Sequence, residues 1–308
     1  MLPSLATINS RLRLKQLRLL IALDDYGSLH KAAEAVAITQ PGATKALHEI
    51  ESTLGTPLFE RTSKGLEPND LGRCVIRYAR LIHTDVAHLR EELLGIMQGH
   101  GGRLSVGVIM GAVPALVESL ARLRARQPQL SVEIVEDTSA RLLSLLDEGR
   151  LDMALCRTSV SKNPALYDCR SREQEPLIVV ANPAHAFATL DTVSLDELAA
   201  SRWVVFPVNM PMRLTLEREF REAGLAFPTY SIETSSTFTT LSLLLQDPNL
   251  VAVMPEDVAR MAVDFGMLVH LPYALTSRSE PYEIVTRHGV SLPAPARLLI
   301  EELTQAAT

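Results

Sequence analysis

Four polar side chains recur on one face of a helix that the sequence predicts between residues 40 and 54. They are Gln40, Thr44, Lys45 and His48. Gln40 can bind an adenine edge through two hydrogen bonds, Lys45 can reach a guanine edge or a phosphate, and the Thr44 methyl suits a thymine methyl. His48 lies one turn further along and suits a phosphate or solvent better than a base. The pattern indicates contact with double-stranded DNA, although the spacing alone also fits a merely solvated helix face.

A helix-turn-helix is predicted to position this polar face. On the opposite side of the helix, one apolar stripe recurs at spacings of four, three and four residues: Ala43, Leu47, Ile50 and Leu54. Thr39 is placed to cap the helix, and Pro41 falls in the first turn, where its missing N–H costs little. Ser28 is the predicted N-cap of the preceding helix. We expect Ser28, Thr39 and Pro41 to share the DNA-binding surface with the polar face.

A short β-hairpin is predicted after this helix, at residues 56–68. Gly55 suits the left-handed residue that ends a helix, and Gly65 suits the turn of the hairpin. Arg61 and Lys64 lie within the hairpin. From there they would lie against phosphates or enter the minor groove. Residues 1–68 are therefore expected to form a winged helix-turn-helix domain.

One long helix is predicted over residues 69–98, with a hinge at residues 99–102. Its apolar residues form a narrow seam at near-heptad spacing: Leu71, Val75, Tyr78, Ile82, Val86, Leu89, Leu93 and Ile96. Such a seam on an otherwise polar helix favours pairing with a second copy, so that residues 69–100 would form a dimerisation linker. The alternative is that the seam packs on its own chain.

Residues 101–308 alternate buried strands with amphipathic helices, which is typical of βαβ units and a mainly parallel sheet. Strands are predicted at 104–110, 131–136, 151–157, 177–181, 203–206, 250–254 and 282–286. Helices are predicted at 113–128, 139–150, 195–200, 214–223, 238–245, 255–262 and 294–305. About 200 residues of this pattern suit two small α/β lobes.

The chain resembles the LysR-type transcriptional regulators over nearly its whole length. The matching residues are Ser28, Lys31–Glu34, Thr39–Pro41, Thr44–Lys45, Leu54–Gly55, Pro57–Arg61 and Gly149–Asp152. The resemblance implies an α/β fold with an N-terminal winged helix-turn-helix and a two-lobed effector domain similar to periplasmic binding proteins (type 2). Lobe I would comprise about residues 103–172 and 275–308, and lobe II about residues 173–274. The chain would cross between the lobes near residues 170–174 and 271–277.

The same resemblance implies the partners of the protein. These are double-stranded promoter DNA, a small-molecule effector, and further copies of the chain in a homodimer and a homotetramer. The effector is expected to be an anionic metabolite or a sugar-related compound. Contact with RNA polymerase is a further expectation.

The effector is expected between the lobes, where strand ends meet helix N-termini. The residues placed there are Met110, Gly111, Ala112, Thr138, Ser139, Arg157, Thr158, Phe206, Pro207, Ser235 and Ser236. Amides and hydroxyls at helix starts favour a carboxylate, phosphate or sulfate group. Arg157 either adds positive charge for such a group or pairs with a nearby acid. The Thr and Ser run at 234–237 either contacts the ligand or caps a helix.

The charge distribution fits a DNA-binding head on an acidic body. Residues 1–66 hold eight Lys and Arg against six Asp and Glu, a balance of +2. The remainder therefore carries −8, because the whole chain carries −6. The separation of charge is modest, and it agrees with the two kinds of domain predicted above.

Enzymatic and exported classes are disfavoured by the sequence. It contains no GxSxG, HExxH or Walker motif and no GxGxxG after a strand, so we predict no enzyme, cofactor or metal site. Three widely spaced cysteines, Cys74, Cys156 and Cys169, indicate neither a disulfide framework nor a zinc site, and they leave redox sensing open. No apolar run could span a membrane and no signal peptide is evident. A cytoplasmic protein is expected, and an exported solute-binding protein of similar fold is the alternative.

Overall fold

In a computed structural model of the chain, residues 3–62, 65–98, 102–171, 175–208 and 210–305 are described. They divide into two compact units. The first comprises Met1–Arg103 with Ser144–Leu151, and the second comprises Leu104–Leu143 with Asp152–Thr308. The domain limits predicted at residues 68 and 100 stay predictions. Most of the predicted hinge, residues 99–101, lies outside the described residues.

The first unit is mainly helical, with one hairpin. In chain order its elements are α1 (Leu5–Arg11), α2 (Leu14–Tyr26), α3 (Leu29–Ala35), α4 (Gln40–Leu54), β1 (Phe59–Thr62), β2 (Gly65–Pro68) and α5 (Asp70–Gln98). The short helix α1 is absent from the sequence prediction. It begins where the Ser4 hydroxyl accepts a hydrogen bond from the Thr7 amide, which satisfies one early donor of the helix.

A cap and two glycines fix the geometry of α4 and the hairpin. The Thr39 hydroxyl accepts a hydrogen bond from the Gly42 amide at 3.3 Å, and Gly55 ends α4 in the left-handed conformation, with φ 75°. The apolar stripe of α4 is buried against α2 and α3. A Cβ on Gly65 would lie 2.6 Å from the Gly27 carbonyl oxygen, so the hairpin packs tightly on the turn between α2 and α3. These features confirm the predicted winged helix-turn-helix.

Helix α5 spans 29 residues and leaves most of its predicted seam uncovered by its own chain. The exposed members are Leu71, Tyr78, Ile82, Val86, Leu89 and Leu93. Val75 is half-buried and packs on the helical core, and the side chain of Ile96 lies outside the described residues. Among the described residues, no helix is both long and apolar enough to cross a membrane.

The second unit contains two five-stranded sheets with helices packed on them. Its strands are β3 (Arg103–Val108), β4 (Ser131–Glu136), β5 (Met153–Cys156), β6 (Tyr167–Ser171), β7 (Leu177–Ala181), β8 (Arg202–Val205), β9 (Ile232–Glu233), β10 (Leu250–Pro255), β11 (Val269–His270) and β12 (Glu283–Arg287). Its helices are α6 (Val113–Arg126), α7 (Ser139–Asp147), α8 (Leu195–Ala199), α9 (Pro211–Glu222), α10 (Thr237–Gln246), α11 (Glu256–Asp264) and α12 (Ala294–Gln305). The strand orders are β4-β3-β5-β12-β6 in lobe I and β11-β7-β10-β8-β9 in lobe II.

Both sheets are mixed, so the expectation of mainly parallel pairing is wrong. Strand β10 is parallel to β8 but antiparallel to β7, and β12 is antiparallel to both β5 and β6. Each of β7 and β12 is the first strand after the chain passes from one sheet to the other. Because no helix crossover on its own sheet delivers such a strand, the rule that makes βαβ strands parallel does not apply to it. The division into two sheets confirms the predicted two lobes.

The second passage between the sheets, from β11 to β12, is held by one carboxylate of α9. Glu219 accepts hydrogen bonds from the Tyr273 hydroxyl at 2.7 Å and from the amides of Thr276 at 2.8 Å and Ser277 at 2.7 Å. The Glu219 side chain is buried. Burial alone would raise the pKa of Glu219, but these hydrogen bonds outweigh burial and lower the pKa. The carboxylate thus replaces the backbone partners that this irregular segment lacks.

The core of lobe II is built around Trp203, the only tryptophan in the sequence. Its indole N–H donates a hydrogen bond to the Leu198 carbonyl oxygen at 2.8 Å. The ring meets Phe220 edge to face at a centroid distance of 5.7 Å, and Phe220 meets Phe227 in the same way at 5.4 Å. Burying the ring while its one polar group keeps a partner stabilises the lobe without an unsatisfied donor.

Candidate functional site

The polar face of α4 is exposed along its whole length. Gln40, Thr44, Lys45 and His48 all lie on the surface, opposite the buried stripe. The Thr44 hydroxyl donates to the Gln40 carbonyl oxygen at 3.1 Å, and the side chain is exposed. The Lys45 ammonium lies 4.0 Å from Glu49, a weak contact between two exposed groups. The amide of Gln40, the methyl of Thr44 and the ammonium of Lys45 are therefore exposed and available for contact with a ligand.

The other residues predicted on this surface lie around α4. Pro41 occupies its first turn. Ser28 stands at the N-cap position of α3, as predicted, although its side chain makes no capping hydrogen bond. Arg61 is exposed on β1 of the hairpin. Lys64 lies outside the described residues.

A basic group at the end of α1 and the start of α2 was missed in the sequence analysis. Its members are Arg11, Arg13, Lys15 and Arg18, all of them exposed. Residues 1–23 contain no acidic side chain. Helix α1 packs against α4, and the Gln16 amide, which lies among these cations in the sequence, donates a hydrogen bond to Glu49 of α4 at 3.4 Å. The sequence showed this group as a stretch without acidic residues. The net charge was counted over residues 1–66 as a whole, where acidic residues further along the chain offset these cations.

A cavity of about 540 Å³ lies between the two lobes of the second unit. Seven of the residues predicted for the effector line it: Met110, Gly111, Thr138, Ser139, Arg157, Ser235 and Ser236. The sequence analysis did not predict several further lining residues, including Glu136, Asp137, Glu175, Thr237 and Phe238. Its size is within the range of small-molecule sites.

The remaining four predicted effector residues lie elsewhere. Ala112 is fully buried at the start of α6, and Phe206 packs into the apolar core of lobe II. Pro207 is not in the cavity wall. Thr158 faces a second, more open cavity of about 320 Å³, where its amide and hydroxyl both donate to Glu283. The sequence prediction used only the place of each residue after the end of a strand. That place does not determine the direction in which the side chain points.

Two of the hydroxyls in the cavity wall already have local roles. The Ser236 hydroxyl accepts a hydrogen bond from the Thr239 amide and caps α10. The Ser139 hydroxyl accepts one from the Arg157 amide at 3.1 Å. The capping alternative for the Thr and Ser run therefore holds for Ser236. Four helix starts nevertheless line the cavity, those of α7, α9 and α10 and the short helical turn that leads into α6.

Arg157 forms a buried ion pair in the cavity wall. Its Nη2 lies 2.7 Å from Glu175 Oε2 and 3.1 Å from the Ser279 hydroxyl, and its Nε donates to the Glu280 carbonyl oxygen at 2.8 Å. Each charged side chain of the pair is only 5% exposed. Burial raises the pKa of Glu175, and the neighbouring guanidinium opposes that shift. Of the two roles considered for Arg157, the structure shows pairing with an acid.

The cysteines of lobe I are poorly disposed to react. Burial raises the pKa of Cys156 to about 12, and the charge of Glu283 adds to the shift. The pKa of Cys169 is also raised, by partial burial first. Because the thiolate is the reactive form, both thiols should be unreactive near neutral pH. Within the described residues, no three His, Cys, Asp or Glu side chains cluster as metal ligands would.

A Cys74→Ala variant should therefore react slowly with a thiol-exchange reagent at pH 7.5. We expect less than one equivalent of rapid reaction in the native state and two after denaturation, as measured by the absorbance of the released thiolate. A full rapid equivalent in the native protein would mean that Cys169 is more reactive than its surroundings imply.

Two family models match the chain. The LysR substrate binding domain matches residues 97–308, and the bacterial regulatory helix-turn-helix protein, lysR family, matches residues 14–73. The first match covers lobes I and II and the second covers the polar face of α4. Together they span both candidate sites.

Similar proteins are found among sequences and among solved structures. The HTH-type transcriptional regulator GbpR of Azospirillum brasilense is 30% identical over 302 residues, covering 97% of this chain and 88% of the relative. The small neutral protease regulatory protein of Streptomyces coelicolor is 38% identical over 221 residues, covering 70% and 66%. The crystal structure of CbnR, a LysR family transcriptional regulator, matches the fold with a TM-score of 0.66 at 19% identity, covering 96% of this chain and all of that one. The chain therefore belongs to the LysR family of transcriptional regulators, with the helix-turn-helix and effector-binding domains of that family.

Proposed function

We propose that this regulator binds promoter DNA through α4 and the hairpin, and that a small molecule in the interlobe cavity controls the binding. The observation that carries the DNA part is the exposed polar face of α4, supported from behind by a buried apolar stripe. A helix held in this way can enter the major groove with its side chains toward the bases. Arg61 and the basic group of Arg11, Arg13, Lys15 and Arg18 supply the positive charge that phosphates attract.

We further propose that the DNA-binding unit is a dimer paired through α5. The exposed seam of α5 supports this pairing, because a row of large apolar side chains is unfavourable in water and a second α5 would cover it. Two copies would place two α4 helices in successive major grooves. A homotetramer and contact with RNA polymerase stay predictions.

The solved structures support the choice of partner. One of them is full-length CbnR complexed with its target DNA, and it matches this fold with a TM-score of 0.66 at 20% identity. DNA binding carries over to this chain as part of the proposal. Effector control would follow from the two lobes, since ligand binding can favour one arrangement of two lobes over another. A cytoplasmic location, where promoter DNA is accessible, goes with the same proposal.

Two substitutions should separate base contact from phosphate contact. We expect Gln40→Ala to weaken binding to the cognate promoter by roughly 1–3 kcal/mol with little change on scrambled DNA, because the amide contacts a base edge. We expect Arg61→Ala to weaken binding to both duplexes about equally and to reduce the salt dependence by about one ion, because it contacts a phosphate. Fluorescence anisotropy titrations at several salt concentrations measure both effects.

Arg122→Ala provides a control, because Arg122 is a cation of α6 whose described partners are Glu118, Ser119 and Glu302 of its own chain. It should bind both duplexes like the parent. If Gln40→Ala and Arg61→Ala also behaved like the parent on both duplexes, α4 and the hairpin would not be the DNA-binding surface.

A further inference from the structure

The wall of the interlobe cavity contains its own carboxylate at the place where an anionic ligand would be expected. Glu175 lies in the first passage of the chain between the lobes, and its Oε2 forms the ion pair with Arg157. Its other oxygen, Oε1, lies directly against Gly111, where any Cβ would overlap it. Gly111 belongs to the helical turn that leads into α6. The protein thus fills with its own side chain the position that faces the Arg157 guanidinium, a group that attracts anions.

Two polar atoms in this wall are buried and unsatisfied. Glu175 Oε1 and Thr237 Oγ1 have no hydrogen-bond partner among the residues that the structure describes. They belong to different parts of the cavity wall, the first passage and the start of α10. Glu175 is more than nine-tenths buried, so water does not readily replace the missing partner. A buried carboxylate oxygen without a donor is costly, and it is relieved by a ligand that presents a hydroxyl or an N–H.

The charged side chains of the cavity disfavour a further negative charge. Arg157 contributes +1, and Glu136, Asp137 and Glu175 contribute −3, a balance of −2. The one positive group is already paired. A carboxylate ligand would have to approach two exposed acids and displace Glu175 from Arg157. A cation would gain from the acids but would face several helix starts, whose partial charge is positive.

We propose that the cavity binds an uncharged small molecule rich in hydrogen-bond donors, which donates to Glu175 Oε1 and Thr237 Oγ1, and that Glu175 excludes carboxylates. Of the two effector classes expected from the sequence, this favours the sugar-related class over the anionic one. The inference rests on the proposed function, because it assigns the ligand of the same cavity. Glu175 acts here as a specificity-determining residue.

A panel of ligands of similar shape and different charge tests this assignment on the full chain. The panel comprises common hexoses and pentoses, the corresponding uronic acids and the corresponding amino sugars, first in thermal-shift assays and then in calorimetric titrations. We expect at least one uncharged sugar to bind at least tenfold more tightly than its uronic acid. Thr237→Val, which keeps the shape and removes the hydroxyl, should weaken that sugar by at least threefold.

Two independent variants should weaken or abolish the preference for the uncharged sugar. Glu175→Gln removes the competing charge, and Gly111→Ala displaces the same carboxylate by overlap with Oε1. In each, the ratio of uronic acid to sugar affinity should rise at least tenfold over the parent. Glu222→Gln is the matched control, because it removes the same charge from an exposed position at the end of α9, outside the lining of the cavity, and should change the ratio by less than threefold.

Three results would overturn the inference. They are a uronic acid that binds the parent as tightly as the sugar, a ratio unchanged in both Glu175→Gln and Gly111→Ala, and no binding by any uncharged member. A parallel promoter titration separates this failure from failure of the proposed function. A uronic acid that binds and shifts DNA affinity would refute the ligand class alone. A sugar that binds with the expected ratios but leaves DNA affinity unchanged would refute effector control alone.

Discussion

Glu219→Ala is expected to destabilise the second unit by about 2–4 kcal/mol, because it removes a buried acceptor of several hydrogen bonds at once. The amides of Thr276 and Ser277 and the Tyr273 hydroxyl would lose their partner in a segment that has no sheet pairing of its own. Hydrogen bonds to a charged group are stronger than neutral ones, so each contributes more than an ordinary bond. Urea denaturation at pH 7 measures the change in the free energy of unfolding.

The loss should depend on pH in a defined direction. Because the pKa of Glu219 is lowered in the folded protein, its carboxylate contributes stability that is fully present above the ordinary value of 4.5. That contribution disappears as the pH falls below 4.5 and through the depressed value. The parent and Glu219→Ala should therefore converge in stability under acidic conditions.

Glu222→Ala is a control on the same helix, because Glu222 is exposed at the end of α9. It should change stability by less than about 0.5 kcal/mol. An equally small change for Glu219→Ala at pH 7 would show that the segment from β11 to β12 is stable without this carboxylate.

Leu89→Glu in the seam of α5 is expected to convert the proposed dimer to a monomer and to reduce promoter affinity by about 10²–10⁴-fold. Leu89 is 56% exposed in the single chain, so the substitution costs the monomer little. In the dimer it would place a charge, and its symmetric copy, in an apolar seam. The affinity falls because the second α4 no longer binds as part of the same molecule.

Ala87→Glu introduces the same charge on another side of the same helix, where Ala87 is also exposed. Sedimentation equilibrium and promoter titrations should show a dimer with nearly parental affinity for Ala87→Glu and a weakly binding monomer for Leu89→Glu. A dimer in both variants would place the pairing surface outside this seam.

Local spacing was sufficient to predict the elements that position α4. The stripe from Ala43 to Leu54, the cap at Thr39 and the glycine at position 55 all act within one or two turns of their own residue, and the structure contains each of them. The seam of α5 was likewise predicted from the spacing of apolar residues within one helix. Such features depend on neighbours in sequence, so the sequence alone carries them.

The features that were missed depend on residues distant in sequence. Mixed sheets arise because β7 and β12 enter from the opposite lobe, which no local pattern records. Glu175 lies one residue beyond the predicted first passage, and its partner Arg157 belongs to a different segment. A single acidic residue before a strand is not part of any repeating sequence pattern, so nothing in the sequence indicates its ion pair. The charge of the cavity therefore emerged only from the folded chain.

The single tryptophan gives this protein a selective optical label. Trp203 lies in the core of lobe II, 1% exposed and in contact with Phe220, and neither lobe I nor the DNA-binding head contains another indole. Intrinsic emission excited at the red edge of the absorption band will therefore follow the melting of lobe II alone. Circular dichroism will follow all of the helices. Any difference between the two melting curves measures directly how far lobe II unfolds independently of the rest of the chain.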